Sequence, residues 1–337
     1  MKGSQVWLDA TVVGLRDITP TVREISLQPA SGVDAYEPGS HLQVQVMVGQ
    51  GARASAMRLQ TRSYSLIGRP DGLRYHIAVK RLADGRGGSL AMWRLVAGDR
   101  LRILAPQNHF PLDLGAPSYL LVAGGIGITP LLGMAQTLAA RAAPVRLCFG
   151  ARTDDELAYW AELHAVLGDK AGAAVTARGE MIRFATEIAA LPDQAQMYVC
   201  GPAPMLDAAR RAWAEAGRAP TLLRYETFGS SGRFAPQPFR VKLPRHQLDV
   251  EVTRDASLLD TLEQQGVQAL YDCRRGECGL CAMDVLSVTG EIDHRDVFLS
   301  EHEKAGNKRI CVCVSRVVGP AGAFGEITLD SAYRPDA

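Results

Sequence analysis

Three cysteines crowd into one short segment in the last quarter of the chain. Cys273, Cys278 and Cys281 follow the spacing C-x4-C-x2-C, and Cys311 and Cys313 come about thirty residues later. A plant-type 2Fe–2S cluster takes four thiolates, and three of them lie in one loop with this spacing. The sequence therefore predicts that these five cysteines include the ligands of such a cluster.

A zinc site or a set of purely structural cysteines fits this spacing less well. Zinc ribbons combine two C-x2-C pairs, and the chain has only one. Structural cysteines would not place three thiols within nine positions. The fourth cluster ligand stays open at this point, because Cys311 and Cys313 are two apart on a predicted strand and their side chains would face the same way.

The segment Arg62-Ser63-Tyr64-Ser65-Leu66 carries side chains suited to a flavin nucleotide. On a strand it offers an arginine for a phosphate, a tyrosine to stack on a ring and a serine hydroxyl for a polar ring edge. Basic side chains recur in His76–Arg81, and Gly85–Ser89 is a glycine turn that opens a predicted helix, a common means of holding a phosphate. The three segments together predict a flavin site.

Two glycine-containing turns follow predicted parallel strands. The first is Gly124-Gly125-Ile126-Gly127-Ile128-Thr129-Pro130 and the second is Cys200-Gly201-Pro202. Glycines let the backbone approach a pyrophosphate closely, and open α/β sheets bind ligands at the carboxyl ends of their strands. The turns predict a nucleotide site, and Glu226 and Phe228 close the same region of the chain.

The elements that must position these motifs fall into three predicted domains. Residues 1–113 show short strands separated by Gly and Pro, which favours an antiparallel β-barrel. In residues 114–228 strands alternate with helices, which favours a parallel sheet of the α/β class. Residues 229–238 are rich in Gly, Ser and Pro and are predicted to be a linker. Residues 239–337 form the third domain, with strands, one helix and the cysteine loop.

Composition and charge exclude several classes of protein. Apolar residues make up 47% and charged residues 22% of the 337-residue chain, which is typical of globular enzymes and not of disordered or membrane proteins. The N-terminal residues lack a secretory signal, so we expect a cytoplasmic protein with no membrane partner. No basic cluster with interleaved aromatic residues occurs, so no nucleic-acid partner is expected. Residues 246–337 hold 16 acidic and 9 basic residues, whereas the rest of the chain is basic, which favours electrostatic docking.

Taken in order along nearly the whole chain, these motifs resemble the phthalate dioxygenase reductase and vanillate O-demethylase reductase family, within the ferredoxin–NADP reductase superfamily. Further matching stretches are Val79-Lys80-Arg81, Gly87-Gly88-Ser89, Glu226-Thr227-Phe228, His294-Arg295-Asp296 and Cys313-Val314-Ser315-Arg316. The resemblance implies an FMN-binding antiparallel β-barrel, an NAD-binding α/β domain and a C-terminal ferredoxin domain of α+β, β-grasp type. It also implies a partner, a Rieske-type non-haem iron oxygenase that hydroxylates or O-demethylates an aromatic or similar small compound.

The resemblance also assigns roles to matching positions. It implies that Cys313 is the fourth cluster ligand and that Cys311 is an additional thiol. The catalytic residues it implies are Ser65, Cys200 and Phe228. The implied cofactor-binding residues are Arg62, Ser63, Tyr64 and Ser65 at FMN; Val79, Lys80, Arg81, Gly87, Gly88 and Ser89 around its phosphate; and Gly124, Gly125, Gly127, Thr129, Cys200, Gly201, Pro202, Glu226 and Phe228 toward the nicotinamide nucleotide.

The predicted function is electron transfer from NAD(P)H through FMN and the cluster to the oxygenase. A hydride carries two electrons and the cluster accepts one, and a flavin can accept the pair and release it singly. The alternatives are a reductase for a cytochrome P450 or another acceptor, a non-catalytic iron–sulfur carrier or nucleotide sensor, and a structural zinc module. NADH is the expected donor, but NADPH stays open because Asp154 and Asp155 disfavour a 2′-phosphate whereas Arg152 favours one. FMN rather than FAD rests on the resemblance, and a monomer is expected.

Overall fold

The computed structural model describes residues 6–49, 57–82, 87–228, 232–320 and 323–330. The chain divides into two compact units, Met1–Glu226 and Thr227–Ala337. Gly85 and Arg86 of the predicted phosphate turn, and residues 229–231 of the predicted linker, lie outside the described residues. Within the described ranges, every helix is too short or too polar to cross a membrane.

An antiparallel sheet of seven strands begins the first unit. Its elements are β1 (Leu8–Thr19), β2 (Val22–Pro29), β3 (Ser40–Gly49), β4 (Met57–Ser65), β5 (Tyr75–Lys80), α1 (Gly88–Trp93), β6 (Arg100–Ile103) and β7 (Gln107–Asn108). The strand order is β4-β3-β6-β1-β2-β5, and β7 pairs with β3. Leu66, directly after β4, bridges Ile77 of β5 and so closes the path into a barrel around buried side chains such as Ile25 and Val44. The predicted antiparallel domain is confirmed.

A five-stranded parallel sheet completes the first unit. Its elements are β8 (Tyr119–Gly124), α2 (Ile128–Ala140), β9 (Val145–Ala151), α3 (Trp160–Leu167), β10 (Ala171–Val175), α4 (Phe184–Ala189), β11 (Gln196–Cys200), α5 (Ala203–Glu215) and β12 (Leu223–Glu226). The order β10-β9-β8-β11-β12 reverses direction between β8 and β11. Open parallel sheets bind ligands at such a reversal. The predicted α/β nucleotide domain is confirmed, and both predicted turns border the reversal.

Helix α3 begins later than the sequence pattern predicts. The apolar pattern of Asp155–Val166 predicts one helix, but residues Asp154–Glu156 form a separate 3-10 turn and α3 starts at Trp160. Tyr159, directly before α3, has a φ of 60°, a left-handed conformation that interrupts a helix. Its hydroxyl donates to Glu24 of β2 at 3.0 Å, a long-range contact that favours this conformation of the chain.

The second unit is built on a mixed sheet of five strands. Its elements are β13 (Phe239–Leu243), β14 (Leu248–Val252), α6 (Leu258–Gln264), β15 (Ala282–Thr289), β16 (Glu291–Asp293), α7 (Glu301–Gly306), β17 (Arg309–Cys311), β18 (Arg316–Val318) and β19 (Gly325–Asp330). The sheet order is β14-β13-β19-β15-β17, and β16 pairs separately with β18. The α+β class predicted for this domain is confirmed, although the pattern reveals only one of its two helices.

The prediction that one strand carries both Cys311 and Cys313 is wrong. Strand β17 ends at Cys311, and the amides of Val314 and Ser315 both donate to the carbonyl oxygen of Cys311 in the turn that follows. Cys313 therefore lies in a turn, and the rule of alternating strand faces does not apply to this pair. Both cysteines are buried.

Candidate redox site

The structure brings Arg62 of β4 against the start of α1. A Cβ atom built on Gly88 would lie 2.8 Å from Nε of Arg62, so a larger residue there would displace this side chain. The guanidinium also donates to the carbonyl oxygen of Thr61 at 2.9 Å and to the side chain of Gln60. Arg62 and Gly88 belong to two segments predicted to bind a phosphate. They are 26 residues apart in sequence but lie side by side in the barrel.

Tyr64 and Ser65 follow Arg62 on the same strand. Burial raises the pKa of Tyr64 to about 12, which keeps its phenol protonated at neutral pH. The Oγ atom of Ser65 is buried and has no hydrogen-bond partner within the described residues. A buried hydroxyl without a partner is costly, and the polar edge of a flavin ring would satisfy it. The motif therefore fits a flavin. Ser63 is partly exposed beside them.

Lys80, at the end of β5, lies beside the first glycine turn of the parallel sheet. Its Nζ atom is 3.0 Å from Oε1 of Glu156, and it is 3.9 Å from the position that a Cβ of Gly125 would take. The side chains of Lys80 and Glu156 are both about four-fifths buried. The barrel therefore presents a cation at the turn where a pyrophosphate is expected.

The neighbours of Lys80 are held by Trp93, the last residue of α1. The Trp93 indole donates to the carbonyl oxygen of Val79 at 2.9 Å, and the guanidinium of Arg81 stacks on its ring, 4.8 Å from the centroid. Ser89 binds the residue that follows Arg81, because its hydroxyl accepts a hydrogen bond from the amide of Leu82 at 3.2 Å. Gly87, with a φ of 79°, lets the chain turn into α1.

Glycines bring the two turns of the parallel sheet into contact at the reversal between β8 and β11. A Cβ on Gly127 would lie 2.1 Å from the carbonyl oxygen of Cys200, and one on Gly124 would lie 2.6 Å from Cδ of Pro202. Gly201 likewise lies against the backbone of Gly124. The two turns can approach this closely only because these positions are glycine, and the Met205 side chain packs against both Gly124 and Gly201.

Thr129 and Cys200 border the same reversal. Thr129, in the first turn of α2, is buried and donates its hydroxyl to the carbonyl oxygen of Ile126 at 3.0 Å. Cys200 ends β11, is fully buried and pairs with Glu226 of β12, which is buried as well. Phe228 lies two residues beyond β12, at the start of the second unit, and is half-buried.

The cysteine loop of the second unit points backbone amides at sulfur. The amides of Arg275, Glu277 and Cys278 each donate to Sγ of Cys273 at 3.4 Å. Gly276 makes this possible, because its φ is 77° and a Cβ there would lie 2.6 Å from a methyl carbon of Val314. Amides that converge on a cysteine sulfur stabilise a thiolate ligand and help to set a cluster potential.

The remaining thiols fall into two groups. Hydrogen bonding with Cys273 lowers the pKa of Cys278, and hydrogen bonding with Cys311 and Cys313 lowers the pKa of Cys281. Among the described residues, no three His, Cys, Asp or Glu side chains converge on one point as ligands of a single metal ion. Thiols from one loop and from the segment after β17, with backbone amides aimed at the sulfur of Cys273, fit a 2Fe–2S cluster.

A buried ion pair that the cysteine spacing does not predict lies inside the cysteine loop. Arg275 Nη2 lies 3.1 Å from Oε2 of Glu277, and both side chains are largely buried. The other carboxylate oxygen of Glu277 accepts from the amide of Thr227 at 2.8 Å, while burial raises the pKa of this carboxyl group. A charged residue between two ligand cysteines is the signal that could have indicated this pair.

Two arginines that the motifs do not single out bind backbone oxygens of the predicted linker itself. Arg295 donates to the carbonyl oxygen of Phe234 at 2.8 Å and pairs with the buried Asp293. Arg316 donates to the carbonyl oxygen of Gln237 at 2.9 Å. Both arginines belong to motifs that carry the family resemblance, but their spacing alone does not reveal a structural role.

Two domain models match the chain. Residues 242–318 match the 2Fe-2S iron-sulfur cluster binding domain, and residues 121–211 match the oxidoreductase NAD-binding domain. The beta subunit of a heme-dependent oxidative N-demethylase from Ectopseudomonas mendocina is 36% identical over 316 residues, which cover 93% of this chain and 96% of the relative. The phthalate 4,5-dioxygenase oxygenase reductase subunit of Pseudomonas putida is 35% identical over 296 residues, which cover 84% and 85% of the two chains.

A solved structure of phthalate dioxygenase reductase has the same architecture. Its TM-score is 0.76 at 30% identity, and the match covers 96% of this chain and 98% of the other. The chain belongs to the phthalate dioxygenase reductase family. The predicted resemblance is thus confirmed, and so is the reaction class, an NAD(P)H-dependent oxidoreductase that moves electrons. The cofactor classes are a 2Fe–2S cluster, a flavin nucleotide and a nicotinamide nucleotide.

Proposed function

We propose that this chain is the NADH-dependent, FMN-containing reductase component of a Rieske-type oxygenase system. The observation that carries the proposal is a set of three contacts between distant motifs in the first unit. Arg62 touches Gly88, Lys80 reaches Gly125, and Gly127 touches Cys200. These contacts bring together, within the first unit, groups of the barrel and of the parallel sheet that can hold the phosphates of two nucleotides. Similarity along nearly the whole chain to the Pseudomonas putida reductase subunit supports the oxygenase partner.

The proposal assigns each part of the chain a role. Bound flavin supplies the conversion of one hydride into two single electrons. Arg62 and Arg81 bind its phosphate, and Ser65 donates its unpartnered hydroxyl to the ring edge. Thr129 and Cys200 line the position of the nicotinamide. The protein itself need not supply an acid or a base, because hydride transfer moves no proton to or from a side chain.

The remaining assignments concern the second unit and the domain limits. Cys273, Cys278, Cys281 and Cys313 are the proposed cluster ligands, and Phe228 is proposed to contact the flavin or the nicotinamide. The proposed domains are residues 1–113 for FMN, 114–228 for NAD and 239–337 for the cluster, joined by 229–238. A monomeric, cytoplasmic protein completes the proposal.

A haem protein is the second candidate for the partner. The Ectopseudomonas mendocina relative is the beta subunit of an enzyme whose name states that it depends on heme. Its identity to this chain, 36%, is as high as that of the dioxygenase reductase subunit, 35%. The two candidates differ in the acceptor and not in the donor, so the reductase itself would work in the same way.

The charges after the second strand of the parallel sheet bear on the choice between NADH and NADPH. Asp154, one of the carboxylates that favours NADH, is engaged by Arg178, whose Nε atom is 3.1 Å from Oδ2 of Asp154. An acidic group paired in this way repels a 2′-phosphate less than a free one. NADPH must therefore be assayed beside NADH.

The test begins with the purified holoprotein. Its visible spectrum is recorded under argon before and after addition of NADH or NADPH, and its flavin is identified after acid extraction. We expect about one FMN and two irons per chain and bleaching of both chromophores by NADH. A protein without flavin, or one whose spectrum NADH leaves unchanged, would overturn the proposed donor function in favour of a carrier or sensor.

The partner is tested with isolated oxygenase components. The reduced protein is mixed with the Rieske component of the Pseudomonas putida phthalate 4,5-dioxygenase system and, separately, with the haem subunit of the Ectopseudomonas mendocina N-demethylase. Reduction of the Rieske centre, followed by electron paramagnetic resonance, supports the proposal. Reduction of the haem alone would replace the Rieske partner with the haem one.

A further inference from the structure

Lys80 and Glu156 form an ion pair beside the first glycine turn of the parallel sheet. The Nζ atom of Lys80 is 3.0 Å from Oε1 of Glu156, and only about a fifth of each side chain is exposed. Lys80 ends strand β5 of the barrel, whereas Glu156 belongs to the 3-10 turn that follows β9. The pair therefore joins the barrel to the parallel sheet where the nicotinamide nucleotide is proposed to bind.

The same lysine is the cation that this turn offers to a diphosphate. Its Nζ atom lies 3.9 Å from the position that a Cβ of Gly125 would take, and Gly125 has a φ of 53°, which favours glycine. Helix α2 begins three residues later, and its first turn carries no acidic side chain. The positive end of the helix and an ammonium group both favour a bound anion. Glu156 already presents one anion to the same ammonium.

The backbone on both sides of Glu156 is held, so its side chain can move without the chain. Asp154 accepts a hydrogen bond at 3.1 Å from an arginine of the turn after β10, and the hydroxyl of Tyr159 donates to Glu24 at 3.0 Å. Among the residues that the structure describes, Lys80 is the one side chain that pairs with the Glu156 carboxylate. Rotation of this carboxylate away from Lys80 therefore breaks a single interaction.

We propose that Glu156 is an internal competitor of the nucleotide diphosphate, and that the carboxylate and the diphosphate occupy Lys80 alternately. The proposal rests on the proposed function, which makes that diphosphate part of NADH or NADPH. A largely buried ammonium without a counter-ion is costly, so the pair with Glu156 stabilises the protein when no nucleotide is bound. The carboxylate thereby lowers the affinity for the nucleotide and favours release of NAD(P)⁺ once the hydride has left it.

The test compares Glu156→Gln with a matched control, Glu162→Gln, in the full-length holoprotein. Glu162 lies in the first turn of α3 and pairs with the barrel residue Arg16 at 3.4 Å. Each variant removes one negative charge and one ion pair between barrel and sheet, but only the first removes the partner of Lys80. Affinity is measured without turnover, by calorimetric titration of the oxidised protein with NAD⁺ and with ADP. KM is measured for NADH and for NADPH.

Glu156→Gln should bind NAD⁺ and ADP about fivefold more tightly than wild type, equivalent to ~1 kcal/mol, the upper range for a partly exposed ion pair. The KM for NADH and that for NADPH should fall by the same factor, because both nucleotides carry the diphosphate. Glu162→Gln should keep the wild-type affinities. Replacement of a residue that only supports the fold would weaken nucleotide binding, so the sign of the change separates the two roles.

The variant Lys80→Met locates the competition. It should keep its flavin, bind ADP more weakly and show no gain when Glu156→Gln is added, because the two anions then have no ammonium to share. Loss of flavin in Lys80→Met would show that this lysine serves the flavin phosphate. A gain from Glu156→Gln that persists in the double variant would show repulsion without competition. Either result overturns the inference.

Other outcomes separate this inference from the proposed function. Equal affinities of Glu156→Gln and Glu162→Gln would overturn the internal competitor even where NADH reduces the flavin of the wild-type protein. A gain for NADPH alone would also overturn it, because Glu156 would then act on the 2′-phosphate. If Glu156→Gln tightens ADP binding as expected but NADH leaves the flavin oxidised, the internal competitor stands and the proposed donor function is wrong.

Discussion

Replacement of Arg316 by methionine should weaken the cluster domain more than any exposed substitution. Arg316 is 3% exposed and donates to three backbone carbonyl oxygens, those of Ala256 at 2.7 Å, Thr253 at 2.8 Å and Gln237 at 2.9 Å. Its guanidinium also lies 5.2 Å from the ring centroid of Phe239. Three separate segments of the second unit are therefore joined through one side chain.

The size of the effect follows from those three bonds. Methionine fills a similar volume but removes all three hydrogen bonds, at a cost of ~1 kcal/mol or more each, and it deprives the buried carbonyl oxygen of Ala256 of its guanidinium donor. Burial and the neighbouring Arg295 lower the pKa of Arg316 to about 10, so the group is still a cation at pH 7 and its bonds are charge-assisted. We expect a loss of ~3 kcal/mol in the free energy of unfolding of the second unit.

Urea unfolding of the full chain measures this loss. Visible absorbance of the cluster follows the second unit, and flavin fluorescence follows the first. With a slope of ~1–3 kcal/mol per molar urea, the cluster transition should move down by at least ~1 M, while the flavin transition stays in place. The control is Arg240→Met, because Arg240 is an exposed arginine of the same unit that pairs with Asp249. A cluster transition that moves no further in Arg316→Met than in Arg240→Met would refute the reasoning.

Three further predictions concern the ligands, the glycine turn and acid stability. Cys313→Ser should lose the cluster and Cys311→Ser should keep it, as measured by iron content and visible spectrum, and the reverse result would exchange the two roles. Gly127→Ala should raise the KM for NADH about tenfold or more while flavin content is unchanged, because the added Cβ would meet the carbonyl oxygen of Cys200; an unchanged KM would show that the turn does not bind the nucleotide. Glu24→Gln should lower the free energy of unfolding of the first unit at pH 7 and make it fall less between pH 7 and pH 2, as measured by urea unfolding across that range.

The sign of the Glu24 prediction comes from its contacts. Burial opposes ionisation, but hydrogen bonds from His76, Arg16 and Tyr159 outweigh it and lower the pKa of Glu24 from 4.5 to about 2. A lowered carboxyl pKa contributes stability above pH 4.5 that is lost as the pH falls through about 2. Part of the side chain is reached by solvent, so we expect a contribution of ~1–2 kcal/mol. Equal acid sensitivity in Glu24→Gln and wild type would contradict it.

Local patterns were enough to predict much of the protein. The spacing of Cys273, Cys278 and Cys281 identifies a cluster loop, because a single short loop must deliver three thiolates. The alternation of strands and helices in residues 114–228 identifies the parallel sheet, because its strands are buried on both faces. In each case the information lies within a few dozen neighbouring residues, and the domain models and relatives agree with it.

Tertiary structure decided what depends on contacts between distant residues. Lys80 lies close to Gly125 and Glu156, although these residues are more than forty positions away in the sequence. The local periodicity of apolar residues carries no information about such a contact. The early end of β17 at Cys311 and the late start of α3 after Tyr159 likewise follow from packing and not from propensity. The sequence by itself determined which chemical groups the protein carries and which local loops, strands and helices hold them. Only the fold determined which of them face one another, because a side chain's partners are set by chain segments that its own pattern does not contain.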